Sequence, residues 1–249
     1  MMIHILNKEF KRKPYEFIVR YIPMGKDGKK YPLYINSPIQ NDKQNSWRVD
    51  SLLTKEKETI QWIKESITSG TFWDIGANIG QYSLFAAAFN GVKVISFEPE
   101  TQNYSVLIKN VILTDLHTNI TSYPIALSDK PGYGTIDMEL ISGTSNNQLE
   151  RKGIPKSGIR VETIDNLVEQ GIDVPDHIKI DVDGLEYQIL KGGEKTLPKV
   201  KNLLVEIEDK DKENILSLLS SKGFVVKSIT PLRSLTGNNY IFQNEKVTF

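Results

Sequence analysis

The sequence predicts an α/β protein built on a doubly wound, mainly parallel sheet with helices on both faces. Three observations carry that reading. From residue 71 onward, short apolar or β-branched runs alternate with amphipathic helical runs. The apolar runs are nearly continuous, as strands covered on both faces require. Glycines and carboxylates cluster where those runs stop, which is the edge where an open parallel sheet takes its ligands.

Residues 1–50 differ from the rest, being rich in Lys, Tyr and Pro without helical periodicity. Residues 16–22 and 31–35 read as strands, and Gly25-Lys-Asp-Gly28 is a turn signal between them, so a hairpin is expected. Tyr15, Tyr21, Tyr31, Tyr34 and Trp47 read as hairpin packing rather than as a sugar-binding surface. Residues 46–51 lead into a helix with Thr54 as its cap, Glu56 and Glu58 in its first turn and Ile60, Ile63 and Ile67 as its apolar stripe. Ser69-Gly70 ends it.

The alternating part begins with a strand at 71–75, the loop Gly76-Ala-Asn-Ile-Gly80 and a helix over 81–89. A strand over 91–97 stops at Glu98-Pro99, and a helix over 101–114 carries Tyr104, Leu107, Ile108 and Val111. A third strand is expected over 120–126, a fourth over 177–181 and a fifth over 202–207. Helices over 185–190 and 212–222 follow the last two, and residues 224–229 and 240–243 suit a closing antiparallel pair. The interval from about 130 to 160 breaks the pattern with turn chemistry, apart from one expected strand over 135–141. It reads either as a solvated hairpin or as a substrate lid. The expected organisation is an N-terminal extension over 1–50 and one domain over 51–249 with that insertion.

Composition removes several functions. The chain has no cysteine, which excludes a thiol nucleophile, an iron–sulfur cluster and a cysteine-bound zinc. Its three histidines, His4, His117 and His177, form no i,i+4 pair, against a histidine-built metal site. Thirty-one basic residues balance thirty-one acidic ones, a poor charge for wrapping nucleic acid. No apolar run approaches a membrane span, and the charged stretch 8–13 is unlike a signal-peptide core, so a cytoplasmic protein is expected.

The strand-end rule selects Asp74, Glu98, Asp181, Asp183, Glu206 and Glu208 on one edge and puts His177 on the other. Asp74-Ile-Gly-Ala-Asn-Ile-Gly80 is the strongest local signal: its glycines let backbone approach a ligand, and the helix that follows offers N–H groups to an anion. The spacing is Gly-x-x-x-Gly rather than that of dinucleotide enzymes. Glu98 lies 22 residues after Gly76, where an acid accepts hydrogen bonds from ribose hydroxyls. The pair reads as a site for a nucleoside-bearing cofactor without a pyrophosphate.

The run Phe72-Trp-Asp-Ile-Gly-Ala-Asn-Ile-Gly-Gln-Tyr-Ser-Leu84 resembles the first motif of class I S-adenosylmethionine-dependent methyltransferases, and more narrowly the FkbM-like family. Phe97-Glu-Pro99, Ala126-Leu-Ser-Asp129, the segment 178–192 and Leu204-Val-Glu-Ile207 agree in order. Asp183 stands where the family commonly has Glu, which keeps the carboxylate. The resemblance implies a seven-stranded Rossmann-like sheet, S-adenosylmethionine as methyl donor and transfer to a hydroxyl of a sugar, glycan or natural product. It implies that Asp74, Gly76, Asn78 and Gly80 cradle the methionine part, that Tyr82 and Ser83 hold its carboxylate, that Glu98 binds the ribose, and that Ser128 or Asp129 lies near the adenine.

Asp181 is the first choice for general base, with Glu206 and Glu186 beside it. If a divalent metal takes part, Asp181 and Glu206 are its ligands and their oxygens favour magnesium, calcium or manganese. Otherwise the two carboxylates bind cofactor, cap helices or pair with Lys179 and Lys191. The expected partner is a small-molecule or glycan acceptor, not nucleic acid, and the hairpin offers an edge for a homodimer. The alternatives are a methyltransferase for nucleic acid or protein and a non-catalytic S-adenosylmethionine-binding protein.

Overall fold

A computed structural model describes residues 19–34, 49–137, 156–182, 184–232 and 237–247. Its centre is a seven-stranded sheet of β3 (Thr71–Ile75), β4 (Lys93–Phe97), β5 (Ile120–Tyr123), β9 (His177–Ile180), β10 (Asn202–Glu208), β11 (Phe224–Pro231) and β12 (Gly237–Asn244). The spatial order is β11-β12-β10-β9-β3-β4-β5. Five strands are parallel, and β12 runs antiparallel between β10 and β11, giving the expected closing pair.

Side chains alternate across the sheet. Phe72, Val94 and Leu204 join one core with α1 (Lys57–Ser66), α2 (Gln81–Asn90) and α3 (Thr101–Thr114). Trp73, Ile95, Ile178 and Leu203 join a second core with α4 (Ile164–Glu169), α5 (Glu186–Lys191) and α6 (Lys212–Lys222). The two cores are the two covered faces that the continuous apolar runs require. Trp62 of α1 lies edge-on to Phe72, with ring centres 5.9 Å apart.

The hairpin exists as β1 (Val19–Pro23) and β2 (Lys30–Tyr34), and the Gly28 amide closes its turn on the Gly25 carbonyl. Tyr31 and Tyr34 are buried against the first core, whereas Tyr21 is exposed. Tyr15 and Trp47 lie outside the described residues.

Four expectations change. Thr54 does not cap α1: its hydroxyl donates to the Ser51 carbonyl in a turn, and the helix starts after Glu56. The third strand divides at Pro124, which has no N–H for a continuing ladder. Its first half is β5; its second is β6 (Ile125–Leu127), which leaves the large sheet. There β6 pairs with β8 (Lys156–Glu162), and β8 with β7 (Gly132–Asp137), forming a three-stranded sheet where a hairpin or a lid with one strand over 135–141 was expected. Finally, α4 follows β8, capped by the Thr163 hydroxyl, which accepts from the Asn166 amide at 3.0 Å. The part of the insertion over 138–155 lies outside the described residues.

Candidate active site at the sheet switch point

From β3 the chain runs outward through β4 to β5, then returns to β9 on the other side of β3. The crevice beyond the β3 and β9 ends is therefore the switch point, where such sheets bind ligands. Gly76 (φ +81°) carries the turn, and a Cβ there would stand 2.0 Å from the Asp181 carbonyl oxygen. Only glycine lets the two strand ends approach so closely. Gly76 and Ala77 donate to the Phe97 carbonyl, and Gly80 donates to Ala77. Asn78 is one of two described non-glycine residues with positive φ (52°). Its amide donates to Glu98 Oε2 at 2.7 Å, and its Oδ1 accepts from the Ile79 amide.

Glu98 is buried, and its Oε1 accepts from the Glu100 amide at 2.9 Å. Burial, partly countered by those amides, pushes its carboxyl up to about 7. Asp74 is fully buried on the first-core face, where Oδ2 accepts from the Ser83 hydroxyl at 2.6 Å. Its Oδ1 has no hydrogen-bond partner. Burial pushes this carboxyl up as well, against Lys179 and Ser83. An orphaned buried acceptor suits a donor such as an amino group, and the bare Gly76 edge suits close approach of a ligand. Both features fit the cofactor that the sequence implies.

Behind the loop lies a buried charge cluster. Lys179, 1% exposed, donates to Asp181 Oδ2 at 2.7 Å. Against the burial that would lower it, Asp181, Asp74 and Glu56 hold this lysine above its ordinary range, so it is protonated. Its Nζ also stands 4.8 Å from the centre of the Tyr82 ring. The Tyr82 hydroxyl donates to Glu56 Oε2 at 2.8 Å, and Lys55 pairs with Glu56 Oε1 at 2.6 Å. Burial and Glu56 push the Tyr82 phenol well up. Sequence reading took Glu56 for a first-turn acid. Nothing local marks a contact spanning 26 residues.

The remaining candidates are distributed as follows. Ser83 is fully buried, its hydroxyl held between Asp74 and the Ser96 hydroxyl. Glu206 sits on β10, half-buried, in the row facing Asn239 of β12. Glu186 is turned into its own loop, where Oε1 accepts from the Val182 and Gly184 amides. Ser128 and Asp129 follow β6, and the Ser128 carbonyl packs against Gly192 at the end of α5. His177 is on the opposite edge as expected, bonded to the Ser69 carbonyl and Asn202. Among the described residues, no group of three or more histidine or carboxylate side chains is arranged to hold a metal ion. No helix among them is long and apolar enough to cross a membrane.

A cavity of about 480 Å³ opens on the second-core side of the crevice. Gly76, Phe97, Pro99 and Val182 line it from the large sheet, and Leu127 and Ile136 from the small one. A largely apolar cleft of this size accommodates a nucleoside-sized ligand.

Comparison with known proteins agrees with this architecture. The chain is 27% identical over 180 residues to the hexuronic acid methyltransferase AglP of Haloferax volcanii, spanning 70% of this chain and 71% of that one. It is 28% identical over 189 residues to the 31-O-demethyl-FK506 methyltransferase FkbM of Streptomyces tacrolimicus, spanning 62% and 72%. The fold is shared with the tRNA m1G37 methyltransferase of M. jannaschii, at a TM-score of 0.50 and 13% identity, over 93% of this chain and 56% of that one. Residues 74–226 match the methyltransferase FkbM domain, from the Asp74 turn to the antiparallel closing strands. With more than half of its length matched, and the glycine turn, Glu98 and Asp181 on one sheet edge, the chain is a methyltransferase of the FkbM domain family.

Proposed function

We propose that the chain transfers the methyl group of S-adenosylmethionine to a hydroxyl oxygen of a sugar, glycan or natural-product acceptor. The observation that carries the reading is the Asp181 carboxylate, fixed by Lys179 at the end of β9, against the bare Gly76 turn. Support comes from the relatives, one named for a hexuronic acid and one for an O-demethylated FK506.

The chain's residues divide the work. The loop 76–80 takes the methionine part, with Asp74 Oδ1 accepting from its amino group. Ser83 serves from beneath by holding Asp74. Tyr82 and the start of α2 face the carboxylate. Glu98 accepts from the ribose hydroxyls, and the wall formed by Phe97, Pro99 and Leu127 covers the base. Bound there, S-adenosylmethionine supplies an electrophilic sulfonium methyl group. Asp181 would orient the acceptor hydroxyl and take its proton, a contribution of about 10²–10⁴ in rate, as the oxygen–carbon bond forms and the methyl carbon–sulfur bond breaks, leaving S-adenosylhomocysteine. Glu206, one strand away, orients a neighbouring hydroxyl.

The test is transfer of isotopically labelled methyl from S-adenosylmethionine to hexuronic acids, their glycosides, sugar nucleotides and hydroxylated macrolactones. Methyl ethers are the expected products, located by NMR, and Asp181→Asn removes transfer while S-adenosylhomocysteine still binds. Products methylated only on nitrogen, or only on nucleic acid, overturn the reading.

A further inference from the structure

Asn110 is fully buried on α3 and carries two hydrogen bonds to distant parts of the chain. Its Oδ1 accepts from the Tyr34 amide, the last residue of β2, at 2.6 Å. Its Nδ2 donates to the Ile79 carbonyl at 2.9 Å. Ile79 lies between Asn78 (φ 52°) and Gly80 (φ 87°), the left-handed stretch of the glycine loop. Glu98 holds that loop from the other side through the Asn78 amide. The loop is thus clamped twice: by the end of β4, and through α3 by the N-terminal hairpin. We propose that Asn110 is a positioning residue that braces the cofactor loop against the hairpin, so that a segment outside the matched domain serves cofactor binding.

The hairpin is built for such a task. A lone two-stranded hairpin is marginal in water. This one buries Met24 and Leu33 completely in the core shared with Leu107 of α3 and Phe85 of α2. Lys109 of α3 also lies 5.0 Å over the Tyr34 ring. Leu107 itself stands 3.1 Å from where a Gly80 Cβ would be, so α3 supports the loop by packing as well as by hydrogen bonding. The Asn110 amide is a polar link between the loop and the hairpin. An asparagine suits the place because it accepts from one backbone group and donates to another.

This inference rests on the loop being the cofactor site, and two readouts keep the two ideas separate. The first is calorimetric titration with S-adenosylhomocysteine. The second is hydrogen exchange of the 76–80 amides in the ligand-free protein, each of which donates to a partner within the fold. Asn110→Leu removes both bonds and keeps the branched shape. Asn110→Asp keeps the acceptor and loses the donor to Ile79. Leu33→Ala loosens the hairpin without touching the loop. Both Asn110 variants are expected to weaken S-adenosylhomocysteine binding about tenfold and to speed exchange of 76–80. Leu33→Ala is expected to shift both in the same direction by less. Combined with Asn110→Leu it should add nothing further, because the brace is already open.

Unchanged affinity and loop exchange in folded Asn110 variants overturn the brace, whatever their loss of thermal stability. Full additivity of the Leu33 and Asn110 effects overturns it too. If the unaltered protein fails to bind S-adenosylhomocysteine, the cofactor reading falls and loop exchange still decides the brace. If Asn110→Leu does not fold, Asn110→Asp and Leu33→Ala carry the comparison.

Discussion

Lys179 is the residue whose environment is most demanding. It is buried on β9 among Asp74, Asp181 and Glu56, and with Lys55 on Glu56 its charge offsets those three carboxylates. Removing one partner of a buried ionic cluster costs about 3–5 kcal/mol. Lys179→Met should therefore lower the unfolding free energy by that order in a urea titration, and a loss below about 1 kcal/mol would mean that water reaches the cluster. Glu98 makes a prediction of a different kind. Burial raises its carboxyl from 4.5 to about 7 in the fold. The neutral form is thus favoured on folding, so its stabilising contribution is complete below pH 4.5 and is lost as pH rises to about 7. Glu98→Gln should gain stability relative to the unaltered protein across that window and hold the gain above it. Ligand binding should respond with the opposite sign. Ribose hydroxyls donate best to the ionised carboxylate, so S-adenosylhomocysteine affinity should strengthen several-fold between about pH 6 and 8. That dependence should vanish in Glu98→Gln, and a pH-independent affinity in the unaltered protein would remove Glu98 from the ribose.

The elements show which physical signals a sequence carries. Glu100 precedes α3 and its carboxylate accepts from the Gln102 and Asn103 amides at 3.0 and 2.7 Å. Glu100→Ala should cost about 1 kcal/mol in thermal or urea unfolding, as loss of a helix cap does. The helix itself was legible from its apolar spacing, and β3, β4, β9 and β10 from their buried apolar runs. What they position was legible too: Asp74, Glu98 and Asp181 end those strands, and strand ends in a parallel sheet share an edge. The small sheet was legible only in part, as the strand expected over 135–141 and the end of the one expected over 120–126. Its β8 alternates half-buried and exposed residues and includes a glycine, a pattern indistinguishable from loop until β6 and β7 pair with it. Pro124 carried a signal, the missing N–H that ends β5, but nothing local says where the chain goes next. Asn110 and Glu56 escaped for a related reason. Their partners lie 76 and 26 residues away, and a buried polar side chain that joins distant segments leaves no periodicity behind it.

At the scale of the whole molecule, the crevice is where separately built parts meet. One core holds α1, α2, α3 and the hairpin, the other holds α4, α5 and α6, and the large sheet divides them. The cavity draws its walls from the large sheet and the small one, and the glycine loop is tied to the hairpin through Asn110. A ligand bound there stabilises the native state by mass action, about 2.7 kcal/mol at a hundred times its dissociation constant. For a chain of this size that corresponds to a rise of roughly 5–10 °C in the melting temperature. S-adenosylhomocysteine should produce such a shift, and Gly76→Ala should abolish it, because the added methyl meets the Asp181 carbonyl. The distribution of the gain is more informative than its size. If the crevice joins the parts as its contacts suggest, added ligand slows amide exchange in β2 and β6 as well as in β3 and β9. Slowing confined to β3 and β9 would mean that the central strands bind ligand alone, with the hairpin and the small sheet as passive cover.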